Sequence, residues 1–201
     1  MYQLYYSPGA CSLATQVILR ELGQDFSLIS KAEIADYSQI NPVGAVPALK
    51  TGDTVVTEGA AIILYLLERH ANQLLPTDAQ ARGRVIEALM FANASMHPAY
   101  SKLFFLAGSL EDSETKMALL SAAAQKVSAL WEVVESRLEV HAYLAGEVLS
   151  PADILLAVYA AWGEFFPVRI EIGRRSKALI DSVRAMPSYR ASVAAEQSKV
   201  A

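Results

Sequence analysis

The hydrophobic pattern of this chain changes character once, and the change limits what it can fold into. Through about residue 70, short strand-like runs alternate with helical ones; beyond Pro76-Thr77-Asp78 only helical spacing persists. Residues 2–6 form a compact β-favouring run broken by Ser7-Pro8-Gly9. From Ser12 to Gly23, Leu13, Ala14, Val17, Ile18 and Leu22 recur at helical spacing. Residues 26–29 read as a second strand, followed by a polar stretch and the turn-rich Asn41-Pro42-Val43-Gly44. Residues 46–49 and 54–56 read as two strands joined at Gly52-Asp53, a hairpin signal, and residues 60–67 as a strongly apolar helix.

The order β-α-β then β-β-α describes a thioredoxin-like sheet whose first two strands run parallel, because a helix connects them. The remainder reads as all-α. Asp78 is placed to cap a long helix over 79–96, with Ala81, Val85, Leu89, Ala92 and Met96 on one face. A second helix is expected over 113–138, a third opens at Ser150-Pro151-Ala152-Asp153, and two shorter ones flank Met186-Pro187. The expected fold class is therefore α/β followed by all-α. Its domains are residues 1–76 and 80–201, with the linker near 70–78.

With 53% apolar and 19% charged residues the chain can bury a core, which excludes disorder. A net charge of −4 argues against nucleic acid and anionic membranes as partners. No run approaches the roughly 20 apolar residues of a membrane span, and the first ten residues lack the pattern of a signal peptide. Cys11 is the lone cysteine, so no intramolecular disulfide can form; this fits a reducing, cytoplasmic setting. His70, His97 and His141 match no metal-ligand spacing, and no metal is expected.

Three short segments carry candidate chemistry. Cys11 and Ser12 stand where the first strand turns into the first helix. A helix N-terminus favours an anion, so Cys11 is expected to be more acidic than a free cysteine. The alternative is a buried thiol serving as a small apolar residue. Val46-Pro47 opens a strand; with a cis bond, Val46 would present its N–H and C=O to a peptide-like ligand, and with a trans bond it is an ordinary strand start. Glu58-Gly59 begins a helix whose N–H groups suit a carboxylate, while Glu58 suits an amino group; by itself this is also a plain helix start. Together the three offer what a γ-glutamyl-cysteinyl peptide needs.

SPGACSLA (7–14), NPVGAVPAL (41–49) and TEGAAIILYL (57–66) resemble, in order and spacing, the glutathione-site segments of the bacterial beta-class glutathione transferases. The resemblance extends over the whole chain. It implies glutathione as co-substrate, held by Val46, Pro47, Glu58 and Gly59. It also implies Cys11 and His97 as catalytic residues flanking the glutathione sulfur, with Ser12 as a helper, although His97 read by itself is an inter-domain packing or surface histidine. It further implies a homodimer formed through the 60–67 helix and the start of the long helix. Tyr100, Phe104, Trp162 and Phe166 look like an apolar wall for a second, electrophilic substrate; plain core is the other reading of such aromatics. Ser150 and Asp153 resemble the family's structural capping box. Pro98 disfavours helical geometry at His97, so a kink is expected there. Ala45 and Gly59 stand where members of the class carry glutamine and serine.

The implied activity is conjugation of glutathione to apolar electrophiles, with thiol–disulfide exchange through Cys11 as a second capacity. The competing expectation is a binding or regulatory protein on the same scaffold, since fold alone does not fix function.

Overall fold

Strand β1 (Tyr2–Tyr6) sits inside a four-stranded sheet of order β2-β1-β3-β4. In the computed structural model, which describes residues 1–198, β2 (Phe26–Ser30) pairs parallel to β1, as its connecting helix α1 (Ser12–Glu21) requires. β3 (Ala48–Thr51) runs antiparallel to β1, and β4 (Thr54–Thr57) antiparallel to β3 through the Gly52-Asp53 turn. β3 begins later than the pattern predicts, at Ala48, because Pro47 has no N–H to give the ladder. β1 alternates its faces. Leu4 packs with Leu19, Leu49, Ile62 and Leu66 beneath α1 and α2 (Gly59–Arg69), whereas Tyr5 packs with Tyr37 and Ala48 on the other side. Between β2 and β3 the polar stretch forms two 3-10 turns, Lys31–Glu33 and Tyr37–Gln39, capped by Ser30 and Asp36.

The described chain divides into two units: residues 1–75 together with residues 184–198, and residues 76–183. This corrects the expected boundary, which placed everything after residue 80 in the helical part. Helix α8 (Pro187–Gln197) instead packs on α1. The contact is polar: Glu196, 5% exposed, accepts from the Gln16 amide at 2.5 Å and from the Gly9 N–H at 2.8 Å. Arg20 Nε donates to Ser192 Oγ at 3.1 Å. Apolar periodicity carries no sign of such a contact, which explains why α8 reads as one more helix of the second half.

The second unit contains α3 (Ala79–Met90), α4 (His97–Ser109), α5 (Glu114–Arg137), α6 (Pro151–Ala161) and α7 (Arg174–Arg184). Asp78 caps α3 by accepting from Ala81 N–H at 2.8 Å, as expected. The single long helix expected over 79–96 is instead α3 followed by a π-helical turn over Phe91–Met96, and α4 continues from His97 beyond the expected end. The kink expected at His97 is absent there, since His97 has helical dihedrals (φ −56°, ψ −50°) and Pro98 lies at the start of α4. The π turn absorbs the loss of the Pro98 N–H just upstream. Val85, Leu89, Ala92 and Met96 are nonetheless all buried, so one face continues through the change of helix type.

At α6 the capping box is formed. Asp153 Oδ2 accepts from the Ser150 N–H at 2.8 Å and the Ser150 hydroxyl at 2.7 Å, and its Oδ1 accepts from the Leu144 N–H at 2.9 Å. Burial raises the Asp153 pKa, and these donors oppose the rise. Asp153 thus satisfies three buried donors, and Glu196 the buried Gln16 amide together with the part-buried Gly9 N–H. Glu196→Ala and Asp153→Ala should each reduce stability by about 1–3 kcal/mol, because the buried Gln16 amide in the first case and the buried Leu144 and Ser150 donors in the second lose their acceptor. Thermal denaturation is the check: melting temperatures equal to wild type would show these networks to be energetically idle.

Candidate functional site

The strand registers decide which loops meet. Tyr5 lies opposite Ala48, and Ala48 opposite Thr57. The segments just past Tyr6, just before Ala48 and just past Thr57 therefore emerge at one end of the sheet. They carry Cys11 and Ser12, Val46 and Pro47, and Glu58 and Gly59, so all six first-unit candidates come together. The Val46–Pro47 bond is cis.

Cys11 is the N-cap of α1, reached through a turn in which Ala10 N–H donates to Ser7 O at 3.1 Å. Its thiol donates to the Val46 carbonyl at 3.3 Å. Burial pushes its pKa up from 9.0 to about 11. The Cys11 and Ser12 N–H groups act against this rise, and the Glu58 carboxylate adds to it. The expectation of an acidified thiol is thus overturned, because desolvation outweighs the helix N-terminus. Ser12 is fully buried, and its hydroxyl is 3.4 Å from Ser7 O, a contact at the outer limit of hydrogen bonding.

Glu58 is the N-cap of α2 and has φ 67°, ψ 116°, a region hostile to a residue with a Cβ. Such a conformation costs on the order of 1–3 kcal/mol and persists where the surroundings enforce it. Its side chain makes no capping bond, so the carboxylate is exposed and uncommitted to the helix it starts. Its proximity is felt at Cys11, as the pKa of that thiol records.

In the second unit, the aromatic candidates form one connected group. Trp162 meets Tyr100 and Phe104 edge-on, each at 5.8 Å, and Phe104 meets Phe166 at 4.8 Å. His97 stands edge-on to Trp162 at 5.3 Å and to Tyr159 at 5.4 Å, with Ser101 Oγ 3.3 Å from its Nδ1. Tyr100 is fully buried and accepts from Trp131 Nε1 at 3.0 Å, which makes it the core end of the group; Phe104, 42% exposed, is the open end.

Sequence reasoning missed Tyr159, hidden in the unbroken apolar run of α6, although its i,i+3 relation to Trp162 was a readable signal. It also missed Glu196, for which no local signal exists. No His/Cys/Asp/Glu grouping suited to a metal occurs among the described residues.

Residues 4–74 match the N-terminal domain of glutathione S-transferases, and residues 95–179 their C-terminal domain. The chain is 31% identical to glutathione S-transferase GstA of Escherichia coli O157:H7, over 96% of this chain and 98% of that one. Among solved structures it resembles the glutathione-S-transferase from Xylella fastidiosa (TM-score 0.89, 30% identity, 98% and 99% coverage). It is similar to a sphingomonad glutathione S-transferase complexed with glutathione (TM-score 0.84, 30% identity, 97% and 98% coverage). A bacterial beta-class enzyme from Sphingomonas chungbukensis also aligns (TM-score 0.83, 29% identity, 96% and 98% coverage).

Folding raises the Cys11 pKa, so between pH 9.0 and about 11 the folded chain binds the proton more tightly than the unfolded one. The thiol's contribution to stability is therefore full below that window and lost as pH rises through it. Alkylation of native Cys11 by iodoacetamide should accordingly be slow at neutral pH and keep rising past pH 9.0; a plateau near neutrality would contradict the raised pKa. For Glu58, glycine accepts the observed φ freely while alanine does not. Glu58→Gly should resist urea at least as well as wild type, and Glu58→Ala less well than Glu58→Gly; the reverse order would mean the backbone is unstrained.

Proposed function

The chain belongs to the glutathione S-transferase family, and on that premise we propose that its first unit holds glutathione through Val46, Pro47, Glu58 and Gly59. The protein is a glutathione transferase that conjugates glutathione to apolar electrophiles. The convergence of Cys11, Val46 and Glu58 at one end of the sheet is the observation that carries the proposed binding mode. Val46 would pair with the cysteinyl backbone of the ligand as a neighbouring strand does. The start of α2, including Gly59 N–H, would take the γ-glutamyl carboxylate, and Glu58 its amino group. This assignment gives the strained Glu58 backbone a purpose.

Cys11 is assigned to the sulfur end of the ligand, with Ser12 supporting the turn. In conjugation the glutathione thiol loses its proton, and its sulfur forms a bond to the electrophilic carbon as the leaving group departs with its electron pair. Cys11 as a neutral thiol would stabilise the glutathione thiolate by donating to it. Disulfide exchange needs Cys11 itself as thiolate, and its raised pKa makes that the slower capacity. In the second unit, His97 is assigned a catalytic role. Tyr100, Phe104, Trp162 and Phe166 are assigned to the apolar second substrate, with the exposed Phe104 end as its entry. We further infer a cytoplasmic homodimer acting in detoxification and redox chemistry. Light scattering that finds only a 21.8 kDa species would remove the dimer.

Calorimetric titration with glutathione, joined to steady-state assays with an aromatic halide and with a glutathione mixed disulfide, tests the whole reading. Binding is expected, with turnover of the halide exceeding exchange. Glu58→Ala should weaken glutathione binding by roughly 1.5–3 kcal/mol, the worth of a charged hydrogen bond. No heat of binding at millimolar glutathione would overturn the proposed site.

A further inference from the structure

Two consecutive carbonyls ahead of Val46 are held by side chains, and we propose that Asn41, Tyr37 and Lys31 form a clamp that aims the Val46 N–H at its ligand. Gly44 O accepts from Lys31 Nζ at 2.5 Å. Ala45 O accepts from Asn41 Nδ2 at 2.8 Å and from the Tyr37 hydroxyl at 3.2 Å. The Ala45 C=O and the Val46 N–H are opposite ends of one peptide plane, and that bond is trans. Because the plane is rigid, two donors fixing the direction of the carbonyl also fix the direction of the N–H. The Val46 N–H itself meets no acceptor among the described residues, which leaves it for a ligand.

The donors are themselves held still. Asn41 is 3% exposed; its Oδ1 accepts from the Val43 N–H at 3.1 Å, and its own carbonyl accepts from the Gly44 N–H at 2.8 Å. Tyr37 is buried edge-on to Tyr5 at 5.9 Å, and the Lys31 ammonium lies over its ring at 5.4 Å. Burial, with a smaller contribution from Tyr5, pushes the Tyr37 pKa to about 12, so its hydroxyl remains a donor across the working pH range. At the Ala45 carbonyl the shorter contact makes Asn41 the stronger donor and Tyr37 the weaker, while Lys31 steadies the preceding Gly44 carbonyl. These are positioning residues, acting on glutathione through the Val46 peptide.

The inference rests on Val46 as the backbone anchor for glutathione, and the experiment separates the two. Asn41→Asp keeps the acceptor for the Val43 N–H but turns an oxygen toward Ala45 O in place of the donor. Tyr37→Phe removes one hydroxyl and keeps the buried ring. Both the calorimetric Kd and the KM for glutathione should rise, about tenfold or more for Asn41→Asp and about 2–5-fold for Tyr37→Phe. At saturating glutathione, kcat and the KM for the aromatic halide should stay unchanged, which a general loosening of the fold would not allow. Should Asn41→Asp not fold, Tyr37→Phe carries the test alone. Wild-type protein that does not bind glutathione defeats the Val46 reading itself. Wild-type binding with an unchanged Kd in the folded variants, or loss confined to kcat, overturns the clamp.

Discussion

The antiparallel pairing of β3 with both β1 and β4 governs the geometry of the first unit. Opposing Tyr5 to Ala48 and Ala48 to Thr57 leaves no freedom in where the next residues emerge. A slip of one residue would turn Leu49 out of the core that it shares with Leu4 and Ile62, so the apolar pattern locks the register. The site at the sheet end is therefore a consequence of core packing. Residues some forty positions apart meet there because Leu4 and Leu49 must face the same helices.

At that sheet end, competing electrostatic effects are decided by burial. A helix N-terminus stabilises an anion by about 0.3–1 kcal/mol, which is less than about one pKa unit. The thiol of Cys11 nevertheless rises from 9.0 to about 11, so loss of solvent wins over the N–H groups that face it. Glu58, a few residues away in space, illustrates the opposite choice. It keeps its carboxylate in water and accepts backbone strain instead. A neutral thiol donor and a solvated carboxylate suit a peptide ligand that carries an ammonium on its γ-glutamyl end and a sulfur on the next residue.

The second unit shows how a proline is accommodated without breaking the helix that carries it. Met96 and Tyr100 are both fully buried on either side of the π-to-α transition, so the apolar face is continuous where the hydrogen-bonding pattern is not. His97 is thereby kept in a regular helix and against Trp162 and Tyr159. Trp131, also fully buried, ties α5 to this group through the Tyr100 hydroxyl. A polar tip of a buried aromatic is thus satisfied by another aromatic, which leaves neither buried polar atom unpaired.

Element order, the caps at Asp78 and Ser150, and the hairpin at Gly52-Asp53 were legible in the sequence, because each depends on residues within a few positions of one another. So were the three segments of the candidate site, whose spacing is a linear property. What only the tertiary structure decided was long-range or solvent-dependent. The docking of α8 on α1 rests on Glu196 meeting Gly9 and Gln16 about 180 residues away, and an isolated glutamate on a helix signals nothing. The pKa of Cys11 depends on how much water the fold removes from it. The aim of the Val46 peptide depends on Asn41 and Tyr37 sharing one carbonyl. Local chemistry is written in neighbouring residues; desolvation and orientation are properties of the packed chain, since both require groups from distant positions to occupy the same space.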